Sequence, residues 1–141
     1  MKRILIIALI LLNMTNMFIS ADTTSIVTEE KVVAISPMYT HITTFNKSFD
    51  MLSGGKTAYN AYLSSSVTKD VRLYGYIQQY KNGYWTTVHS VSNLSSTGYA
   101  MLSGNNFVAK GYDYRFVVYG YAYVNGSLLE TVNWISQSKG Y

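Results

Sequence analysis

The sequence predicts an all-β protein, an antiparallel β-sandwich of seven to eight strands that follows an N-terminal signal peptide. Three observations carry this. From about residue 38 onward, apolar and polar residues alternate in runs of strand length, while no stretch beyond a turn or two repeats at the helical period. Seven or eight short strands with no helix imply a sandwich, with a barrel as the less favoured closure. Two Asn-Gly pairs, in "KNGY" (Lys81 to Tyr84) and "VNGS" (Val124 to Ser127), each lie between β-type runs. A two-residue type I′ turn needs positive φ at both central positions, which Asn and Gly tolerate best, so each pair predicts a tight hairpin.

The chain begins "MKRILIIALILL", with Lys2 and Arg3 ahead of an unbroken apolar run from Ile4 to Leu12. That is the pattern of a signal peptide. The run falls short of the roughly 20 apolar residues a spanning helix needs, and Asn13, Thr15 and Asn16 break its continuation. Cleavage is expected after Ala21 in "FISAD". Residues 1–21 then form the signal peptide, 22–37 a flexible tail ending at the sole proline, Pro37, and 38–141 a single domain with no later membrane span. Within that domain the expected strands are Tyr39 to Phe45, a weaker one from Lys47 to Leu52, Lys56 to Ser64, Val71 to Tyr80, Tyr84 to Val91, Tyr99 to Ser103, Tyr112 to Val124 and Ser127 to Ile135.

Loss of Lys2 and Arg3 leaves nine basic residues against seven acids, a net charge of about +2, with the basic residues scattered singly. A nucleic-acid partner is set aside on that ground, because it requires a basic stripe that displaces counterions. The chain has no cysteine. An exported domain without disulfides must be held by a hydrophobic core, which about 100 residues can supply. Export without cysteine, a low charged fraction and abundant Ser, Thr, Asn and Tyr point to a secreted or cell-surface protein of a Gram-positive bacterium.

The stretch "VAKGYDYRFVVYGYAYVNGSLLETV" resembles the F strand, FG turn and G strand of fibronectin type III and other immunoglobulin-like domains. Val108, Gly111 and Tyr114 match the tyrosine corner of that pattern, with Lys110 where proline is usual. "GYIQQYKNGYWTTV" looks like a C to C′ hairpin. The resemblance covers about half the mature chain and implies an immunoglobulin or fibronectin III-like sandwich; on function it is silent. The whole chain also resembles an uncharacterised family of short exported Gram-positive proteins, marked by "SPMYTHI", "QQYKNGYW" and "KGYDYRF".

Strand phase converts the aromatic content into a surface. Tyr112, Tyr114, Phe116, Val118, Gly120, Ala122 and Val124 share one parity, the expected core face, which sends Asp113, Arg115, Val117, Tyr119, Tyr121 and Tyr123 outward. An unbroken ladder from Asn125-Gly126 sets Tyr123 opposite Leu128, Tyr121 opposite Glu130, Tyr119 opposite Val132 and Val117 opposite Trp134. In the other hairpin Val71, Leu73 and Ile77 point inward with Val88, while Arg72, Tyr74, Tyr76, Gln78 and Tyr80 point outward, Tyr80 facing Trp85 and Tyr76 facing His89. Side by side, the hairpins present a candidate binding face of Tyr74, Tyr76, Tyr80, Trp85, Tyr119, Tyr121, Tyr123 and Trp134, edged by Arg72, Arg115, Asp113 and Glu130. Tyrosine and tryptophan offer a flat apolar face with a polar tip, suited to a glycan, a cell-wall polymer or a protein partner. Tyrosine is also a good strand former, so the same rings serve the sheet alone equally well.

The titratable groups of the domain are few: His41, His89, Asp50, Asp70, Asp113 and Glu130. No Gly-x-Ser-x-Gly elbow occurs, and two distant histidines without cysteine make a poor metal site. Asp113 and Glu130 are the one carboxylate pair expected on a common face. The expectation is a non-catalytic binding or adhesion module with no cofactor or metal. The alternative is a structural protein that assembles as a homo-oligomer through its face or an open edge, with a small hydrolase a more distant reading.

Overall fold

The computed structural model describes residues 39–141. The expected signal peptide, 1–21, the expected tail, 22–37, and Met38 lie outside the described residues. Eight strands form two antiparallel sheets: β1 (Ile42–Leu52), β2 (Lys56–Ser65), β3 (Asp70–Lys81), β4 (Tyr84–Ser95), β5 (Tyr99–Phe107), β6 (Asp113–Val124), β7 (Ser127–Ile135) and the short β8 (Lys139–Gly140). One sheet has the order β1-β2-β5, the other β4-β3-β6-β7, with β8 also pairing β6. This is the expected antiparallel sandwich. Among the described residues the only helical element is a single 3-10 turn at Ser53–Gly55, and no helix is long and apolar enough to cross a membrane.

The two strands expected from residues 39 to 52 are one strand of 11 residues. Asn46 does not interrupt it, because the ladder with β2 runs unbroken from Thr44↔Ser64 to Leu52↔Lys56. Both Asn-Gly pairs are tight turns with positive φ at each central residue: 54° and 85° at Asn82 and Gly83, 50° and 78° at Asn125 and Gly126. The strands of β3 and β6 keep the expected phase. Val71, Leu73, Ile77, Tyr114, Phe116, Val118 and Ala122 are fully buried. They meet Phe45, Phe49, Tyr59, Ala61, Leu63, Ala100 and Leu102 from the facing sheet in one core. Phe116 sits at its centre, with ring centroids 5.1 Å from Tyr59 and 6.1 Å from Phe49, so three aromatic rings tie the layers together.

The buried hydroxyl of Tyr114 donates to the carbonyl of Ala109 at 2.7 Å and accepts from Gln79 Nε2 at 2.7 Å. It closes the β5–β6 connection against the start of β6 and leaves no buried phenol unpaired. Buried Ser136 does similar work where β7 leaves the ladder, its Oγ accepting from Phe116 N–H at 2.9 Å and donating to Gln137 O at 2.9 Å.

The ladders of the two hairpins are not continuous, and this corrects the expected register. Tyr80↔Trp85, Gln79↔Thr86 and Gln78↔Thr87 pair as expected, but Ile77 then faces His89 and Tyr76 faces Ser90, with Val88 left over as a β-bulge. In the second hairpin Tyr123↔Leu128 is followed by Ala122↔Glu130, with Leu129 left over. One extra residue reverses the phase of everything beyond it. Tyr121 therefore faces Thr131 and not Glu130, Tyr119 faces Asn133 and not Val132, and Val117 faces Ile135 and not Trp134. Val132 and Trp134 turn inward, opposite Gly120 and Val118.

This phase is testable by exchanging neighbours. Val132→Thr places a hydroxyl in the core and should lower stability in denaturant unfolding by about 1–3 kcal/mol, whereas Thr131→Val, on the outer face, should change it by less than about 0.5 kcal/mol. The unbulged register requires the opposite ranking.

Candidate functional site

The outer face of the five-stranded sheet carries seven of the eight rings expected there. Tyr74, Tyr76 and Tyr80 come from β3, Trp85 from β4, and Tyr119, Tyr121 and Tyr123 from β6. Tyr80 is 42% exposed and the other six are half-buried. Trp134 does not belong to this face. The bulge at Leu129 turns it toward the core, where it packs against the buried cluster.

The rings interlock along a diagonal. In the β3–β6 register Tyr74 lies directly opposite Tyr119 and Tyr76 opposite Val117, yet the rings that touch are one pair further on. Tyr74 meets Tyr121 edge-on at 5.9 Å and Tyr76 meets Tyr119 edge-on at 6.2 Å. Tyr121 also leans on Tyr123 at 6.3 Å. Sheet twist brings such diagonal neighbours into reach of long side chains, and edge-to-face contact satisfies the ring quadrupoles.

An arginine closes each end. Arg72 lays its guanidinium 4.2 Å from the Tyr123 ring centroid and pairs with Asp70 at 3.2 Å. The hydrogen bond to Asp70 raises the Arg72 pKa above its ordinary value, against the lowering effect of desolvation. At the other end Arg115 stacks 4.1 Å over Trp85, which itself packs 5.1 Å from Tyr80, and its Nε donates to Gln78 Oε1 at 2.9 Å. Between these ends Tyr121 holds the centre. Burial raises its phenol pKa, reinforced by Tyr123, Tyr76, Tyr119 and Tyr74 around it. Among the described residues, the hydroxyls of Tyr74, Tyr76, Tyr119, Tyr121 and Tyr123 make no hydrogen bond to the protein, in contrast to those of Tyr59 and Tyr114. A shallow groove of about 170 Å³ runs beside Tyr74 and Tyr76, walled by Ser90, Val91 and Ser92 of β4.

Glu130, expected beside Tyr121 on this face, is the second displaced residue. It has the inward phase opposite Ala122, at the edge of the sandwich. Its carboxylate accepts from the backbone N–H groups of Thr40 at 2.8 Å, His41 at 2.8 Å and Ile42 at 2.6 Å, clamping the chain entering β1 onto β7. Asp113 and Glu130 consequently do not form a carboxylate pair. His89 is also displaced, from beside Tyr76 to the inner side, where its Nε2 lies 3.3 Å from Tyr59 Oη. Among the described residues no three His, Cys, Asp or Glu side chains converge in a way that could hold a metal.

A second exposed apolar group escaped the sequence reading. Tyr62 of β2 stacks on Tyr99 of β5 at 6.3 Å on the outer face of the other sheet, where Met101 and Phe107 are also exposed. Its signal was the alternation in "YAMLSGNNF", which continues four residues past the expected end of that strand at Ser103.

Comparison with known proteins gives no match: no family model, curated protein or solved structure is significantly similar to the chain.

Glu130 sets an acid limit on stability. Burial pushes its pKa up, but the three N–H donors outweigh this and the net shift is below the ordinary 4.5. A carboxylate depressed in the folded state contributes stability that is complete above the unfolded pKa and is lost as pH falls through the folded one. Unfolding followed from pH 7 downward should thus show a loss beginning near pH 4.5. Glu130→Ala should flatten that slope and cost about 1–2 kcal/mol at neutral pH, a value kept low because the site is partly solvated.

Proposed function

We propose that this protein is an exported, non-catalytic binding or adhesion module that holds a glycan, cell-wall polymer or protein partner on the tyrosine face of its five-stranded sheet. One observation carries this reading: among the described residues, five neighbouring phenol hydroxyls, on rings that pack against one another, have no protein partner and are free to bond to a ligand. Around them stand Ser90, Ser92, Thr131, Asn133, Gln78 and two stacked arginines. Tyrosine with Ser, Asn and Arg is the composition of antibody binding sites, where rigid rings give contact area at low entropic cost and small polar groups adapt.

The edges of the sheets support recognition over self-assembly by strand addition. Lys47, in the middle of edge strand β1, has the inward phase opposite Ala61 but stays exposed, its Nζ 5.1 Å over the Phe45 ring. Edge strands β4 and β7 carry the bulges. Inward-pointing charges and bulges are devices that discourage edge-to-edge pairing.

The test is retention on isolated Gram-positive cell walls and on a glycan array, with capture of surface proteins in parallel, for the protein and its Tyr74→Ser/Tyr121→Ser variant. Loss of the two central rings should weaken retention on the bound class by at least about tenfold, with the unfolding transition preserved. Equal retention by both proteins, or light scattering that grows with concentration and ignores every ligand, would overturn the reading.

A further inference from the structure

At the end of the face, where Tyr80 leaves β3, the surface opens into a pocket of about 270 Å³ lined by Tyr80, Gly111, Tyr112, Asp113, Gly140 and Tyr141. We propose that this pocket is the anchoring subsite for one uncharged sugar ring of a glycan, with Asp113 as the hydroxyl acceptor and the tyrosine rings as its stacking walls. The proposal rests on the binding reading above and narrows it to carbohydrate.

The walls are fixed by the fold. Tyr112 and Tyr141 are half-buried against the core cluster, and their backbones are joined by a hydrogen bond from Tyr141 N–H to Tyr112 O at 3.1 Å. Gly111 N–H donates to Tyr141 O, and Asp113 pairs with Gly140 across the β6–β8 ladder. Asp113 lies directly opposite Tyr80 on its other side, so its carboxylate emerges between a ring and a glycine. A Cβ at position 140 would stand 3.1 Å from Asp113 Oδ1, so a side chain there would push the carboxylate aside by a few tenths of an ångström.

The carboxylate has no ion-pair partner among the described residues, in which Arg72 pairs with Asp70 and Lys139 with Asp50. An ionised carboxylate is an acceptor only, and it is satisfied by O–H or N–H donors from a ligand. Lys81 holds its Nζ 5.6 Å from the Tyr112 ring centroid, and Arg115 is engaged with Trp85 and Gln78. A sugar ring suits a pocket so lined: its C–H face can lie on a tyrosine ring while adjacent hydroxyls donate to Asp113. The volume lies below the roughly 300–1,000 Å³ of pockets that enclose a drug-sized molecule, as befits one ring of a longer chain.

The experiment is a backbone-amide NMR titration of the protein with the methyl glycosides of glucose, galactose, mannose and N-acetylglucosamine, and with tetramethylammonium as the cation probe. At least one glycoside should produce saturable shifts at Gly111, Asp113 and Gly140. Asp113→Asn should weaken that binding by about tenfold, the loss of one charge-assisted hydrogen bond, and Gly140→Ala should weaken it in the same direction by displacing the carboxylate, with cooperative unfolding retained in both. The Tyr74→Ser/Tyr121→Ser variant should retain the glycoside shifts, which separates this pocket from the central face. Absence of shifts with all four glycosides, shifts with tetramethylammonium in their place, or glycoside binding indifferent to Asp113→Asn overturns the inference. The central face is judged independently, by retention of that tyrosine variant on walls and arrays.

Discussion

Side-chain phase is the constraint on which the rest of the molecule depends. A strand alternates its side chains with period two, so a single inserted residue exchanges core and surface for everything beyond it. In each hairpin the Asn-Gly turn fixes the first pairs and a bulge resets the partner strand after four or two of them. The long strands β3 and β6 keep one phase throughout, and the edge strands β4 and β7 change theirs. The reset delivers Val132 and Trp134 to the core and sends Ser90, Ser92, Thr131 and Asn133 to the outer side. Beyond the bulges the outward rings come from the central strands β3 and β6, flanked by Ser90 and Ser92 on one side and Thr131 and Asn133 on the other.

The turns and the central strands were legible because their physics is residue-specific. Positive φ at two successive positions is nearly a signature of Asn-Gly, and β6 repeats its apolar parity over almost its whole length. The bulges lacked such a marker, since Val88 and Leu129 are ordinary strand residues and neither bulge uses a glycine. The polar pattern nevertheless held the information. An unbroken ladder would have buried Thr131 and Asn133 while exposing Val132 and Trp134, and burying unpaired polar groups costs more than a local kink in an edge strand. The displacement of Glu130 follows from the same reset. Its clamp on Thr40, His41 and Ile42 joins residues about 90 apart in sequence, a relation no local pattern could disclose.

The two "YGY" triplets show how one short motif serves both layers. In Tyr74-Gly75-Tyr76 and Tyr119-Gly120-Tyr121 the rings go outward and the glycine goes inward. A Cβ at position 75 would lie 2.7 Å from Phe116 Cζ, and one at position 120 would lie 2.4 Å from Leu63 Cδ1. The missing side chains are the space that Phe116 and Leu63 occupy. Phe116 in turn stacks with Phe49 and Tyr59 of the facing sheet, so the backbone beneath the tyrosines is held against the core at its closest approach. Glycine ordinarily weakens a strand interior. Here that cost is offset by a central aromatic cluster that needs the room.

The same coupling reconciles an aromatic surface with a stable fold. Five tyrosines standing free on a sheet would expose a large apolar area and would lose rotamer freedom on meeting a ligand. Packed in the pairs Tyr74–Tyr121, Tyr76–Tyr119 and Tyr121–Tyr123, with Arg72 over Tyr123, they cover part of one another's area. Their ordering cost is met during folding, and little of it remains to be met on binding. In the proposed binding role a partner would meet ring edges and hydroxyl tips over a backbone packed against the core. Such a surface would select for ligands that match its spacing and would discriminate poorly by charge, because each arginine on it is already engaged with a ring and a neighbouring Asp70 or Gln78.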